Sequence, residues 1–194
     1  MTEHVSFDPE RLRRRIAARQ RLAVSLDGFF PAAVLVPIVT EPGQPDRLLF
    51  TERRHDLSTH AGQIAFPGGK QDPEDVDAAA TAIRETTEEL GIEPAAIEVL
   101  GTLDDVPTPT RFVITPIVAR IRGPLVMRPN PAEVASVFAA DLGSLADPGR
   151  YTSNGARSFL GVTYEMHEYR WETHRIWGAT ARMVHQVMAL LDSE

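Results

Sequence analysis

The sequence predicts an α/β (α+β) chain, built as a mixed β-sheet with helices on both faces. Short runs rich in Val, Ile and Leu recur at 32–40, 48–51, 97–103 and 112–121, broken by Pro and Gly. Two longer stretches, 77–90 and 176–191, carry helical rather than alternating periodicity. Strand-like and helix-like segments follow one another without regular βαβ spacing, so the sheet should be mixed.

Residues 8–23 read as a helix. Asp8 caps it, Pro9 suits its first turn, and Leu12, Ile16 and Ala23 fall on one stripe. Its other faces hold Arg11, Arg13, Arg14, Arg15, Arg19 and Arg21, either a solvated face or a basic flap over an anionic ligand. Residues 32–51 suggest a hairpin turning at Glu41–Asp46, and Gln63–Phe66 a short strand that ends at Pro67-Gly68-Gly69, where a loop begins. The helix over 77–90 stops at Gly91, a natural left-handed terminator. Strands follow at Ile97–Leu103, Phe112–Ile121 and Val134–Phe138, with a short helix over Asp141–Ala146. Ser158–Tyr164 and Glu168–Glu172 suggest a second hairpin around His167, and a final helix covers Ile176–Leu191 with Trp177 as a core anchor.

The chain has 194 residues, 43% hydrophobic and 24% charged, which suits one elaborated domain. It has no cysteine, which excludes disulfides and thiolate metal sites. A net charge of −7 argues against bulk nucleic-acid binding. No apolar run is long enough to span a membrane and no leader peptide is evident, so a cytoplasmic location is expected.

The chemistry concentrates in Arg84-Glu85-Thr86-Thr87-Glu88-Glu89-Leu90-Gly91-Ile92. Glu85, Glu88 and Glu89 stand at i, i+3 and i+4, so their carboxylates share a helix face and repel one another. They also occupy the last turn, where the helix dipole disfavours anions. A hard cation with oxygen ligands, Mg²⁺ or Mn²⁺, is the natural counterweight; a solvated acidic face is the other reading. Ala79, Ile83, Thr86 or Thr87, and Leu90 are spaced for the buried stripe.

With the Gly68-Gly69 loop before it, this segment resembles the Nudix box: Gly, five residues, Glu, seven residues, then Arg-Glu-apolar-any-Glu-Glu-any-Gly-apolar. Arg84, Glu85, Glu88, Glu89, Gly91 and Ile92 match. Gly69 and Arg84 lie one residue further apart than the pattern, and the early glutamate position falls on Val76, leaving Asp75 or Asp72 to stand in. The resemblance implies a Nudix-type α-β-α sandwich with an added N-terminal helix: residues 1–30 as a helical extension and 31–194 as the hydrolase domain. It implies metal ligation by Glu85 and Glu89, with Glu88 as ligand or base. Arg84 joins the catalytic group, and Glu133, near the strand at 134, is a second candidate base, its other reading being a plain strand start. A non-catalytic binding module of this type would usually lack the helix glutamates, and all three are present here.

The segment Leu57–Gly69, running into Phe66-Pro67-Gly68-Gly69, resembles the extended motif of the coenzyme A pyrophosphatase branch of this family, and Ile176–Ala181 is similar to another of its segments. This implies metal-dependent cleavage of coenzyme A, a small nucleotide substrate, to 4′-phosphopantetheine and 3′,5′-ADP. ADP-ribose or another dinucleotide is the alternative substrate. Arg53, Arg54, His60, Gly68, Gly69 and Lys70, the only lysine, are the candidate substrate contacts. The basic N-terminal helix is a candidate reader of the 3′-phosphate.

Overall fold

The computed structural model describes residues 7–54, 62–159 and 162–192. At its centre is strand β1 (Phe30–Thr40), after a helix α1 (Pro9–Ala18). Strands β2 (Arg47–Arg53), β3 (Ile64–Ala65) and β4 (Gly68–Lys70) precede helix α2 (Ala78–Leu90). Then come β5 (Ile97–Thr102), β6 (Val106–Pro107), β7 (Phe112–Arg122), β8 (Val134–Asp141) and the short helix α3 (Leu142–Leu145). The chain closes with β9 (Tyr151–Phe159), β10 (Val162–Trp171), β11 (His174–Trp177) and helix α4 (Gly178–Asp192).

The large sheet runs β3-β2-β1-β7-β5, with β4 added to β1, β6 to β7 and β8 to β2. β1 and β7 are parallel from Phe30↔Phe112 to Thr40↔Arg122, while β1 meets β2 and β4 antiparallel, so the sheet is mixed as expected. β1 reads as an unbroken apolar run because both its faces are covered. Val34, Val36 and Ile38 face a core shared with α1 and α4; Ala33, Leu35 and Val39 face the core under α2. That is the α-β-α sandwich. β9, β10 and β11 form a second, three-stranded antiparallel sheet.

Several boundaries differ from the sequence reading. α1 ends at Ala18, not 23, and Ala23 is exposed. Beyond it the chain is pinned in extended form: Arg19 bonds Asp104 and the Thr102 carbonyl, Arg21 bonds Asp105 and the Leu103 carbonyl, and the Val24 amide reaches Asp105. Arg13 reaches Glu98, and Arg15 the Leu190 and Leu191 carbonyls at the end of α4. These four arginines hold α1 and the segment after it against β5, the turn that follows it and α4, which overturns the basic-flap reading for them.

Gly68–Lys70, expected to open a loop, instead forms β4, locked on β1 by Leu35 N–H to the Pro67 carbonyl (2.8 Å) and Gln71 N–H to the Pro31 carbonyl (3.0 Å). β8 runs on to Asp141 because β2 pairs with it to its end. His167 lies inside β10 rather than at a turn; the tight turn after β10 is at Glu172, which takes φ 50. Ile176 and Trp177 belong to β11, not to the last helix. Alternation along that strand buries Ile176 fully and leaves Trp177 46% exposed, so Trp177 is not a core anchor.

Candidate active site

α2 is placed by local chemistry at both ends. The Asp77 carboxylate accepts from the Ala80 amide (2.8 Å), a cap worth about 1 kcal/mol. Gly91 closes the helix with φ 64, its N–H bonding the Thr87 carbonyl. The last carbonyls are not left to solvent: Arg128 N–H bonds the Leu90 carbonyl (2.7 Å) and Asn130 N–H the Glu89 carbonyl (2.8 Å). These two bonds bring the 128–134 segment beside the acidic turn.

The helix is rotated from the expected stripe. Thr81, Ala82, Thr86, Glu89 and Leu90 are the buried positions, while Ala79 and Ile83 are half-buried. The three glutamates therefore have different environments. Glu88 is exposed on the solvent side. Glu85 is half-buried, and burial, outweighing its bond to Arg84, pushes its pKa up. Glu89 is only 5% exposed, and burial raises its pKa to about 7. The Gly68 amide (3.3 Å) and the charge of Arg53 partly oppose that rise, while Glu85 and Glu133 add to it.

Arg84 organises the acidic groups. Its Nε and Nη2 grip Asp75, Nη1 donates to Glu85 (2.9 Å) and Glu88 (3.2 Å), and Nη2 also reaches the Lys70 carbonyl. Asp75 accepts from the Thr81 hydroxyl and the Asp72 amide as well, and Arg84 holds its carboxyl far below the usual range. Of the two residues that might stand in for the early glutamate, Asp75 takes the inward, bonded place, while Asp72 is 3.5 Å from Arg84 and Val76 is 90% exposed. Arg84, expected among the catalytic residues, thus has Asp75, Glu85 and Glu88 as its partners.

The two glycines are required by close approach. A Cβ at Gly68 would meet the Ala33 carbonyl oxygen at 2.3 Å, and one at Gly69 would meet the Glu85 carboxylate at 2.5 Å. Glu133 is half-buried, accepts from Asn130 Nδ2 (3.1 Å), and its charge reaches both Glu85 and Glu89.

Of these groups Glu89, Gly68 and Gly69 line a cleft of about 550 Å³, where Lys70 and Arg53 join them. Lys70 sits 4.9 Å from the Phe30 ring, and the buried Nε of Arg53 has no hydrogen-bond partner. Arg54 does not line the cleft; its Nη1 bonds the Pro131 carbonyl (2.7 Å), which buttresses the loop before Glu133. His60 lies outside the described residues. The sequence reading missed Asn130, Tyr164 and Arg182, which come from distant segments with no local motif to mark them.

By donor chemistry the carboxylates suit a hard divalent cation, since they are mutually repelling oxygen ligands, with Glu89 buried and Glu85 half-buried, beside a glycine cradle that a side chain would fill. Among the described residues they are not drawn around one point: Glu85 turns to Arg84 and Glu89 to Gly68.

Residues 29–173 match the NUDIX domain family. The chain belongs to the Nudix family. It is 39% identical over 156 residues to the Nudix hydrolase NudL of Photorhabdus laumondii, covering 80% of this chain and 82% of that protein. It is 40% identical to NudL of Escherichia coli K12, covering 80% of each; both relatives are described as uncharacterized. The fold is like that of the Nudix hydrolase RenU of M. smegmatis (TM-score 0.51, 24% identity, 61% of this chain and 74% of that one). It is also like that of a MutT/nudix family protein of Enterococcus faecalis (TM-score 0.54, 15% identity, 96% and 70%). Nudix hydrolases act on small nucleotide-derived substrates and generally use divalent metals such as Mg²⁺ or Mn²⁺. No helix among the described residues is long and apolar enough to cross a membrane.

Proposed function

We propose that this Nudix hydrolase cleaves the pyrophosphate linkage of coenzyme A or its derivatives, releasing 4′-phosphopantetheine and 3′,5′-ADP. The observation that carries this reading is the shape of the cleft. It joins the glycine-lined end that holds Glu89 to an apolar lining that includes Val106, Phe112, Ile114, Met166 and Met183. A substrate with a diphosphate and a long, weakly polar arm fits such a surface; ADP-ribose has no such arm. The Leu57–Gly69 resemblance points to the same substrate.

In this reading Glu85 and Glu89 hold the cation, with Glu88 at the edge of the set. A divalent cation bound there supplies neutralisation of the anionic diphosphate and a lowered pKa for attacking water. Arg53 and Lys70, with the Gly68 and Gly69 backbone, bind diphosphate oxygens. Arg84 keeps Glu85 oriented through Asp75. Glu133, held by Asn130, takes the proton from water, with Glu88 the other candidate base. Residues 31–194 carry the hydrolase, and 1–30 form a helical extension whose Leu12 and Ile16 enter its core.

The test is product analysis with coenzyme A beside ADP-ribose, with Mg²⁺, Mn²⁺ or a chelator. Release of 3′,5′-ADP, faster than ADP-ribose turnover and abolished by chelation, is expected. Much faster cleavage of ADP-ribose would assign the enzyme to that substrate instead.

A further inference from the structure

Among the described residues, three basic side chains line the cleft: Arg53, Lys70 and Arg182. The first two stand at the glycine-lined end that holds Glu89. Arg182 comes from α4, beside Tyr164 of β10, and Trp177 belongs to the same lining. Its guanidinium lies 5.3 Å from the Tyr164 ring centre, and among the described residues it has no carboxylate within ion-pair distance. The nearby Arg175 differs: it faces the Trp177 ring at 5.8 Å but is held by Glu168 through two hydrogen bonds (2.9 and 2.8 Å). Glu165, the cleft-lining carboxylate next to Tyr164 in the chain, accepts instead from the Ser153 hydroxyl.

A guanidinium that rests against an aromatic ring keeps its in-plane N–H donors available, and those donors match a phosphate in pairs. A half-buried cation without an anion, in a chain of net charge −7, marks a place where the ligand supplies the anion. We propose that Arg182 is the specificity-determining residue for a phosphomonoester on the nucleotide half of the substrate, separate from the diphosphate that is cut. Trp177, exposed in the cleft lining, offers the face on which the nucleobase stacks. The four arginines on and just after α1 that the structure resolves onto internal partners are not available for this task. The ligand's identity rests on the coenzyme A reading; the site itself does not.

Calorimetric titration of adenosine 3′,5′-bisphosphate and of AMP into the whole protein tests this without turnover. The wild type should bind the bisphosphate about tenfold more tightly than AMP, the range of a charge-assisted pair. Arg182→Met should bring that ratio close to one while leaving AMP binding unchanged, and Arg182→Lys should restore part of it. No preference in the wild type, or an equal loss for both ligands in Arg182→Met, overturns the assignment. A protein that prefers the bisphosphate through Arg182 but does not cleave coenzyme A would keep this site and lose the proposed function. Cleavage of coenzyme A with an Arg182-independent preference would do the reverse.

Discussion

The Arg84 guanidinium holds the Asp75 carboxylate by two hydrogen bonds, Nε to Oδ1 at 3.1 Å and Nη2 to Oδ2 at 2.9 Å, across nine residues of sequence. This pair sets the direction of the remaining donor, Nη1, which faces Glu85 and Glu88. Asp75→Asn keeps the shape but removes the charge that fixes the fork. We expect kcat to fall by about 10–100-fold, as for a misplaced active-site group, with a small drop in melting temperature. Steady-state kinetics beside a thermal melt check this; an unchanged kcat would deny Asp75 a positioning role.

Gly68 and Gly69 separate stability from activity. Gly68→Ala drives a methyl into the Ala33 backbone at φ 155 and should cost about 1–3 kcal/mol of stability. Gly69→Ala first meets the end of the Glu85 side chain, which can turn aside, so the protein should melt near the wild-type temperature. Hydrolysis should nevertheless fall by about 100-fold, because the Glu85 carboxylate is displaced. Denaturant titration and an activity assay on the two variants distinguish these outcomes.

Glu85→Gln and Glu89→Gln remove a proposed metal ligand and also relieve repulsion among buried carboxylates. Each should lose at least about 100-fold in turnover, as expected when charge stabilisation worth several kcal/mol depends on the cation. Without divalent metal, neither should melt below the wild type. Removing metal from the wild type should abolish activity, and adding Mg²⁺ or Mn²⁺ should restore it. Full activity in both variants would refute the ligand assignment.

His167 supplies a pH dependence away from the proposed metal site. Burial, reinforced by the charge of His185 and of Arg182, lowers its pKa from 6.5 to about 4, while Glu165 opposes the shift. Tyr151 bonds its Nδ1 and His185 stacks on its ring at 3.9 Å. Between these pH values the unfolded chain binds the proton and the folded chain does not, so stability rises with pH across that window and this contribution is level above it. The melting temperature should fall as pH drops from 6.5 towards 4, and His167→Gln should flatten the fall. Identical profiles for the two proteins would show that folding does not shift the His167 pKa.

Local chemistry made part of this protein legible in advance. Asp8 accepts amide hydrogens at a helix start, and Gly91 supplies the left-handed residue at a helix end. The double-faced apolar run of β1 announced a covered strand. The order of glycines, arginine and glutamates pointed to the family. Errors arose where one element's state depends on another. The 19–24 segment leaves the helix because Asp104 and Asp105, more than 80 residues away, bind its arginines and amides.

By itself the sequence determined the sheet-and-helix composition, the Gly91 stop of α2 and the set of acidic side chains presented by one helix. Tertiary structure decided which of those glutamates is buried, that Asp75 rather than Asp72 takes the inner bonds to Arg84, that four of the basic residues of the N-terminal segment serve the fold, and that Trp177 and Arg182 face the cleft. The reason is physical. Caps and periodicity act over a few neighbouring residues, whereas burial and the pairing of long charged side chains are fixed only when β1, α2, α4 and the 128–134 segment meet in space.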